Sequence, residues 1–150
     1  RDDWTPIQLD QLISDLGELY EAVAEEDGIK FSYSAQPGLV LAANRHLIAQ
    51  VITNLLDNAV KYTPKYGSIQ LTAEQQASEI IISVSDTGPG IPAEERERVF
   101  KRFVRLDNAR STPGNGLGLS LVKAVADLHG AQVELVDNQP GLKVILRFTV

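Results

Sequence analysis

A two-layer α/β sandwich, with a mixed sheet of about five strands packed on three main helices, is the fold class predicted by this sequence. Three observations predict it. Long stretches with apolar residues at helical spacing are interleaved with short runs that alternate at period two. Glycine and proline fall at nearly every junction between them. The 150 residues, 43% apolar and 23% charged, suit one domain around one core.

Residues 5–27 place apolar side chains at Ile7, Leu9, Leu12, Ile13, Leu16, Leu19, Tyr20 and Val23. From Leu9 onward the spacing is that of one helix face with acids opposite, and Asp27-Gly28 is its stop. Ile29 to Ser34 alternates as a half-buried strand does. Gln36-Pro37-Gly38 breaks it, and Leu39 to Ala42 make a short second strand. Asn44 is suited to cap a second helix running to about Tyr62. Its apolar face is Leu47, Ile48, Val51, Ile52, Leu55, Leu56 and Ala59, and Pro64 and Gly67 end it. Ser68 to Glu74 alternates as a strand. Ser78 to Ser85, with Ile80-Ile81-Ile82 at its centre, reads as a strand buried on both faces. Pro92 opens a short helix from Ala93 to about Val99. Residues 104–115 show no sustained apolar period and read as a mobile loop. Leu117 to His129 is a third long helix, stopped by Gly130. Ala131 to Val136 and Leu142 to Val150 form a hairpin around Asn138-Gln-Pro-Gly141.

Composition narrows the function. A net charge of −6 argues against a nucleic-acid partner. No apolar run approaches the roughly 20 residues that span a bilayer, so no direct membrane contact is expected of this segment. There is no signal-peptide pattern. The absence of cysteine excludes disulfides and thiolate metal sites. A chain that starts at Arg1 and holds no methionine reads as a piece of a longer protein.

Four segments carry candidate chemistry. In Asn54-Leu-Leu-Asp-Asn58-Ala-Val-Lys61-Tyr62, the two asparagines share a helix face, and Lys61 follows within one turn. A neutral amide oxygen is a hard ligand of the kind Mg²⁺ takes together with phosphate oxygens and waters. The same pattern also suits a polar helix edge facing water, and Tyr62 suits either stacking on a base or the core. In Asp86-Thr-Gly88-Pro-Gly90-Ile91-Pro, a carboxylate ends a buried strand and can accept a hydrogen bond from an exocyclic amine. The glycines allow close backbone approach, although a plain Asp-Thr-Gly turn needs no ligand. In Phe100-Lys-Arg-Phe103-Val-Arg105, the aromatic pair suits the base of a loop, and Arg105 suits either phosphate or solvent. Gly114-Asn-Gly116-Leu117-Gly118-Leu119 precedes a helix, where exposed N–H groups and the positive helix end make a phosphate cradle. It is neither a Walker A loop nor a dinucleotide fingerprint. It also fits a plain helix start. His46 and His129 lack a partner pattern for catalysis or metal binding and read as structural, His129 at a helix end that favours a cation.

In this order the four segments resemble the N, G1, F and G2 boxes of the sensor histidine kinase ATP-binding domain, in the wider gyrase, Hsp90, histidine kinase and MutL group. The resemblance covers nearly the whole chain. It implies a Bergerat-type ATP-binding fold, with ATP and Mg²⁺ bound. Asn58 would be the Mg²⁺ ligand, assisted by Asn54. Lys61 and Arg105 would contact phosphates, and these four carry the chemistry. Tyr62, Asp86, Gly88, Gly90 and Ile91 would line the adenine pocket, and Gly114, Gly116, Leu117, Gly118 and Leu119 the lid-to-helix turn. Hydrolytic members of the wider group have a glutamate base where this chain has Asn54, which favours phosphoryl transfer over hydrolysis. No His-Glu or His-Asp pair is present, so the phospho-accepting histidine is expected on a separate dimerisation domain upstream. A response regulator would act downstream. The resemblance further implies a cytoplasmic domain, within a parent protein of a type that can be anchored in the inner membrane. A hydrolytic ATPase module of gyrase or Hsp90 type, or a non-catalytic ATP-binding regulatory module, stand as alternatives.

Overall fold

The computed structural model describes residues 3–88 and 115–150, with only the helical backbone of residues 115–118. The expected helix at 93–99, the expected mobile loop at 104–115 up to residue 114, and the Phe100–Phe103 pair lie outside the described residues.

The chain opens with β1 (Thr5–Gln8) and α1 (Leu9–Glu26), followed by β2 (Lys30–Ala35) and β3 (Val40–Ala43). Then come α2 (Arg45–Tyr62), β4 (Ser68–Gln76), β5 (Glu79–Asp86), α3 (Asn115–Leu128), β6 (Gln132–Asp137) and β7 (Leu142–Thr149). The main sheet has five strands in the order β2-β4-β5-β7-β6. It is mixed: β2 runs parallel to β4 and every other pairing is antiparallel. The predicted fold class is therefore the observed one. A separate ribbon pairs β1 with β3, Ile7 opposite Leu41. The strand β1 was not anticipated from the sequence.

The core lies between the helices and one face of the sheet. Leu9, Leu12 and Ile13 of α1, Ile48, Ile52 and Leu56 of α2, and Val122 of α3 pack against Leu71, Ile82, Val84 and Leu146. The α1 face differs from the expected one at two positions: Leu19 and Val23 are exposed. Gly17 and Ala24 are buried in that helix instead. Gly17 is obligatory there, because a Cβ would sit 2.3 Å from the Tyr33 ring. Close approach of β2 at this point rotates Leu19 and Val23 into solvent.

The strand β5 is buried on both faces, as predicted. Ile80, Ile82 and Val84 face the helices, and Ile81 and Ser83 are also covered. On that outer face Arg147 donates to Glu134 at 2.6 Å and to Glu79 at 3.5 Å across neighbouring strands. Among the described residues no helix is long and apolar enough to cross a membrane.

Candidate functional site

Asn44 caps α2 by accepting from the Leu47 N–H at 3.1 Å, which sets the phase of the helix. Ile48, Val51, Ile52, Leu55, Leu56 and Ala59 then bury one face. Asn54 and Asn58 fall at its margin, both half-buried, with Lys61 exposed and Tyr62 half-buried. On the α1 side, Tyr20 donates its hydroxyl to Asp57 Oδ1 at 2.6 Å and pins the same turn from behind. Burial and the neighbouring carboxylate push the Tyr20 phenol well above its ordinary range, so it remains a donor. The helix ends at Thr63, ahead of Pro64.

Asp86 is the last residue of β5 and only 8% exposed. Its Oδ1 accepts from the Gly88 N–H at 2.8 Å and from the Leu142 N–H at 3.3 Å. Its main-chain carbonyl accepts from Asn138 Nδ2 at 2.7 Å. The described residues give Oδ2 no donor. Burial pushes this carboxyl above its ordinary value, and the two amide donors only partly offset that. Gly88 seats the turn after β5 against the end of α2: a Cβ there would lie 2.5 Å from the Tyr62 carbonyl and 3.2 Å from Asp86 Oδ1. Thus Tyr62 and Asp86, far apart in sequence, converge on one spot. Beside them Thr63 Oγ1 is buried without a hydrogen-bond partner among the described residues.

The β6–β7 turn, read from sequence only as a hairpin, holds Asp86 in place. Gly141 has φ +112°, and a Cβ on it would lie 1.8 Å from the Asp86 carbonyl. Asn138, Gly141 and Leu142 are thus supporting residues that the sequence reading missed. The turn signal Asn138-Gln-Pro-Gly141 was visible, but its target was not.

The glycine segment behaves differently from the expected turn ahead of a helix. The helix α3 begins at Asn115, so Gly116, Leu117 and Gly118 are inside its first turn. The first four N–H groups of a helix have no partner within it, a pattern suited to an anion. Leu119, expected at the nucleotide, is buried in the core cluster. Gly90, Ile91, Arg105 and Gly114 lie outside the described residues. His46 is exposed. His129, read from sequence as structural, is so placed: its Nε2 accepts from the Asn44 N–H at 3.2 Å.

The described residues hold no group of three or more His, Cys, Asp or Glu side chains suited to a metal ion. A magnesium ion beside Asn58 would take most of its ligands from phosphates and water, and a single amide oxygen fits that habit.

Residues 43–150 match the family described as histidine kinase-, DNA gyrase B- and HSP90-like ATPase. The chain is 37% identical over 147 residues to the adaptive-response sensory kinase SasA of Synechocystis sp. (strain ATCC 27184 / PCC 6803 / Kazusa), covering 97% of this chain and 38% of that protein. The catalytic domain of histidine kinase ThkA superimposes with a TM-score of 0.87 at 30% identity, covering 97% of this chain and 95% of that domain. A complex of ThkA with the response regulator protein TrrA matches with a TM-score of 0.82 at 28% identity, over 97% of this chain and 41% of that one. The chain therefore belongs to the histidine kinase-, DNA gyrase B- and HSP90-like ATPase family, among the ATP-binding catalytic domains of sensor histidine kinases.

Proposed function

We propose that this chain is the ATP-binding, phosphoryl-donating domain of a two-component sensor kinase, and that it passes the γ-phosphoryl group of ATP to a histidine on a separate helical domain of its parent. The observation that carries this reading is the buried Asp86, held by two backbone donors on Oδ1 and with no donor to Oδ2 among the described residues, beside the end of the helix that bears Asn54 and Asn58. A carboxylate oxygen to which the described residues give no donor is suited to the exocyclic amine of adenine. Tyr62 and Gly88 would supply the wall against which the base lies, and the reading assigns Gly90 and Ile91 to the same pocket.

In this reading Asn58, with Asn54 beside it, holds the magnesium–phosphate unit, and Lys61 and Arg105 neutralise phosphate charge. Magnesium would supply charge neutralisation and orientation of the phosphates. The first-turn amides of α3, at Gly116 and Gly118, would take a phosphate oxygen. Transfer forms a bond from phosphorus to an imidazole nitrogen and breaks the bond to the ADP oxygen, so positioning and charge neutralisation do most of the work. The side chain of Asn54 is an amide and cannot take a proton from water, which supports transfer over hydrolysis. The partners are the upstream dimerisation and phosphoacceptor domain, and a response regulator of the kind seen with ThkA. The reading places the domain in the cytoplasm, within a parent protein of a type that can be anchored in the inner membrane.

The test is labelled ATP. The chain alone should bind ATP yet neither label itself nor release phosphate appreciably. Addition of its parent's helical unit should place an acid-labile, base-stable phosphate on a histidine of that unit. Rapid hydrolysis by the chain alone would support an ATPase module instead, and tight binding without any transfer a regulatory one.

A further inference from the structure

The imidazole of His129 sits where four parts of the fold meet. It follows Leu128, the last residue of α3. Its Nδ1 donates to the Val125 carbonyl at 2.8 Å, since Nε2 is occupied as acceptor for the Asn44 N–H. Trp4 stacks on the ring, centroids 4.9 Å apart and planes 10° from parallel. Phe148 of β7 meets it edge-on at 6.4 Å. Asn44 ties in the same leading segment again, donating from Nδ2 to Asp3 Oδ2 at 2.7 Å while Oδ1 caps α2.

Capping α2 needs only Asn44 Oδ1, so this knot holds more than a cap requires. It joins the leading residues Asp3 and Trp4 to the ends of two helices. The helix α3 packs chiefly on α2 and more lightly on β6, and at its far end the knot adds to the burial of Val125 and Ala126. Its near end carries Gly116 and Gly118, 13 and 11 residues before His129 along one rod, about 17–20 Å at the usual rise.

We propose that Asp3, Trp4, Asn44 and His129 form a clasp that couples the leading segment to α3 and so to the nucleotide-facing first turn of that helix. The nucleotide part rests on the function proposed above, whereas the mechanical part does not. Coupling of this kind is reciprocal. A pull on Asp3 and Trp4 would loosen the first turn of α3, and nucleotide bound there would be felt at Trp4.

Trp4 is the sole tryptophan, so its fluorescence reads the clasp directly. The 150-residue chain is compared with His129→Phe, which keeps a stacking ring but loses both hydrogen bonds, and with His129→Gln, whose amide oxygen can again accept from Asn44. Amide exchange is followed along α3 without ligand, then Trp4 emission and calorimetry during titration with Mg-ADP. His129→Phe should raise exchange along the whole of α3 and weaken ADP binding about fivefold. His129→Gln should recover part of both, and ADP should shift Trp4 emission in the wild type. A rise in exchange confined to the last turn of α3 would overturn the clasp. So would measurable ADP binding that leaves Trp4 emission unchanged. Exchange raised along all of α3 in a protein that binds no ADP would support the clasp and defeat the nucleotide reading.

Discussion

Replacing Asp86 by asparagine should separate binding from stability. In the fold Oδ1 accepts from the N–H groups of Gly88 and Leu142, and asparagine can offer the same oxygen to both. Its Nδ2 would replace Oδ2, which has no donor among the described residues, so the adenine amine would meet another donor. The lost acceptor costs about 1–3 kcal/mol, or about 5- to 150-fold in Kd. Stability should move the other way. Burial raises the folded-state pKa of Asp86 above its ordinary 3.8, so between 3.8 and the raised value the folded chain binds more protons than the unfolded chain. Unfolding free energy therefore falls as pH rises through that window and stays lowered above it. Asp86→Asn removes this penalty and should be as stable as the wild type at neutral pH, or more so, with the difference vanishing in acid below 3.8. Calorimetry with ADP and urea unfolding across pH measure the two effects. Unchanged ADP affinity would refute base recognition by Asp86. A variant less stable than the wild type at neutral pH would refute the claim that charge burial outweighs the two hydrogen bonds.

Asn58→Ala should weaken Mg-ATP binding at least about tenfold, a loss seen even for outer-shell metal partners, while metal-free adenosine binding holds. Its thermal stability should rise slightly, by roughly 0.5 kcal/mol, because alanine suits a helix interior better than asparagine; parallel loss of both ligands would make the residue structural. Gly141→Ala forces a Cβ to within 1.8 Å of the Asp86 carbonyl at φ +112°. It should lower the urea-unfolding free energy by more than about 1 kcal/mol and reduce ADP affinity as well. A native unfolding midpoint would remove the hairpin from its role in holding Asp86.

The three described helices and most strands were legible because burial imposes its period on neighbouring residues. Asn54 and Asn58 are recoverable as a pair for the same reason: helical spacing alone puts them on one side of α2. What was not legible depends on distant chain. The strand β1 is four residues long, contains Pro6, and becomes a strand only by pairing with β3. Leu19 and Val23 fit the α1 period, but the sector facing the sheet was set by Tyr33 packing on Gly17. Asn138 and Leu142 reach Asp86 across 52 and 56 residues, and one atom of each contact belongs to the backbone, which no side-chain pattern reveals.

The features that local rules disfavour gather in one place. Two asparagines sit inside α2, where that residue is a weak helix former. Among the described residues, a carboxylate is buried at the end of β5 with no donor to one oxygen, and a threonine hydroxyl beside it is buried without a partner. Elsewhere among the described residues Arg147 pairs with Glu134 and Glu79, Tyr20 with Asp57, and His129 with Asn44 and Val125. Such a concentration of locally disfavoured features among the described residues, where α2 ends against β5, supports the nucleotide site proposed above. In the proposed function these groups match the chemistry of the ligand. Asp86 Oδ2 asks for a hydrogen-bond donor, and the amides of Asn54 and Asn58 offer neutral oxygen to a hard cation. A purine with an exocyclic amine, joined to phosphates that carry magnesium, presents both.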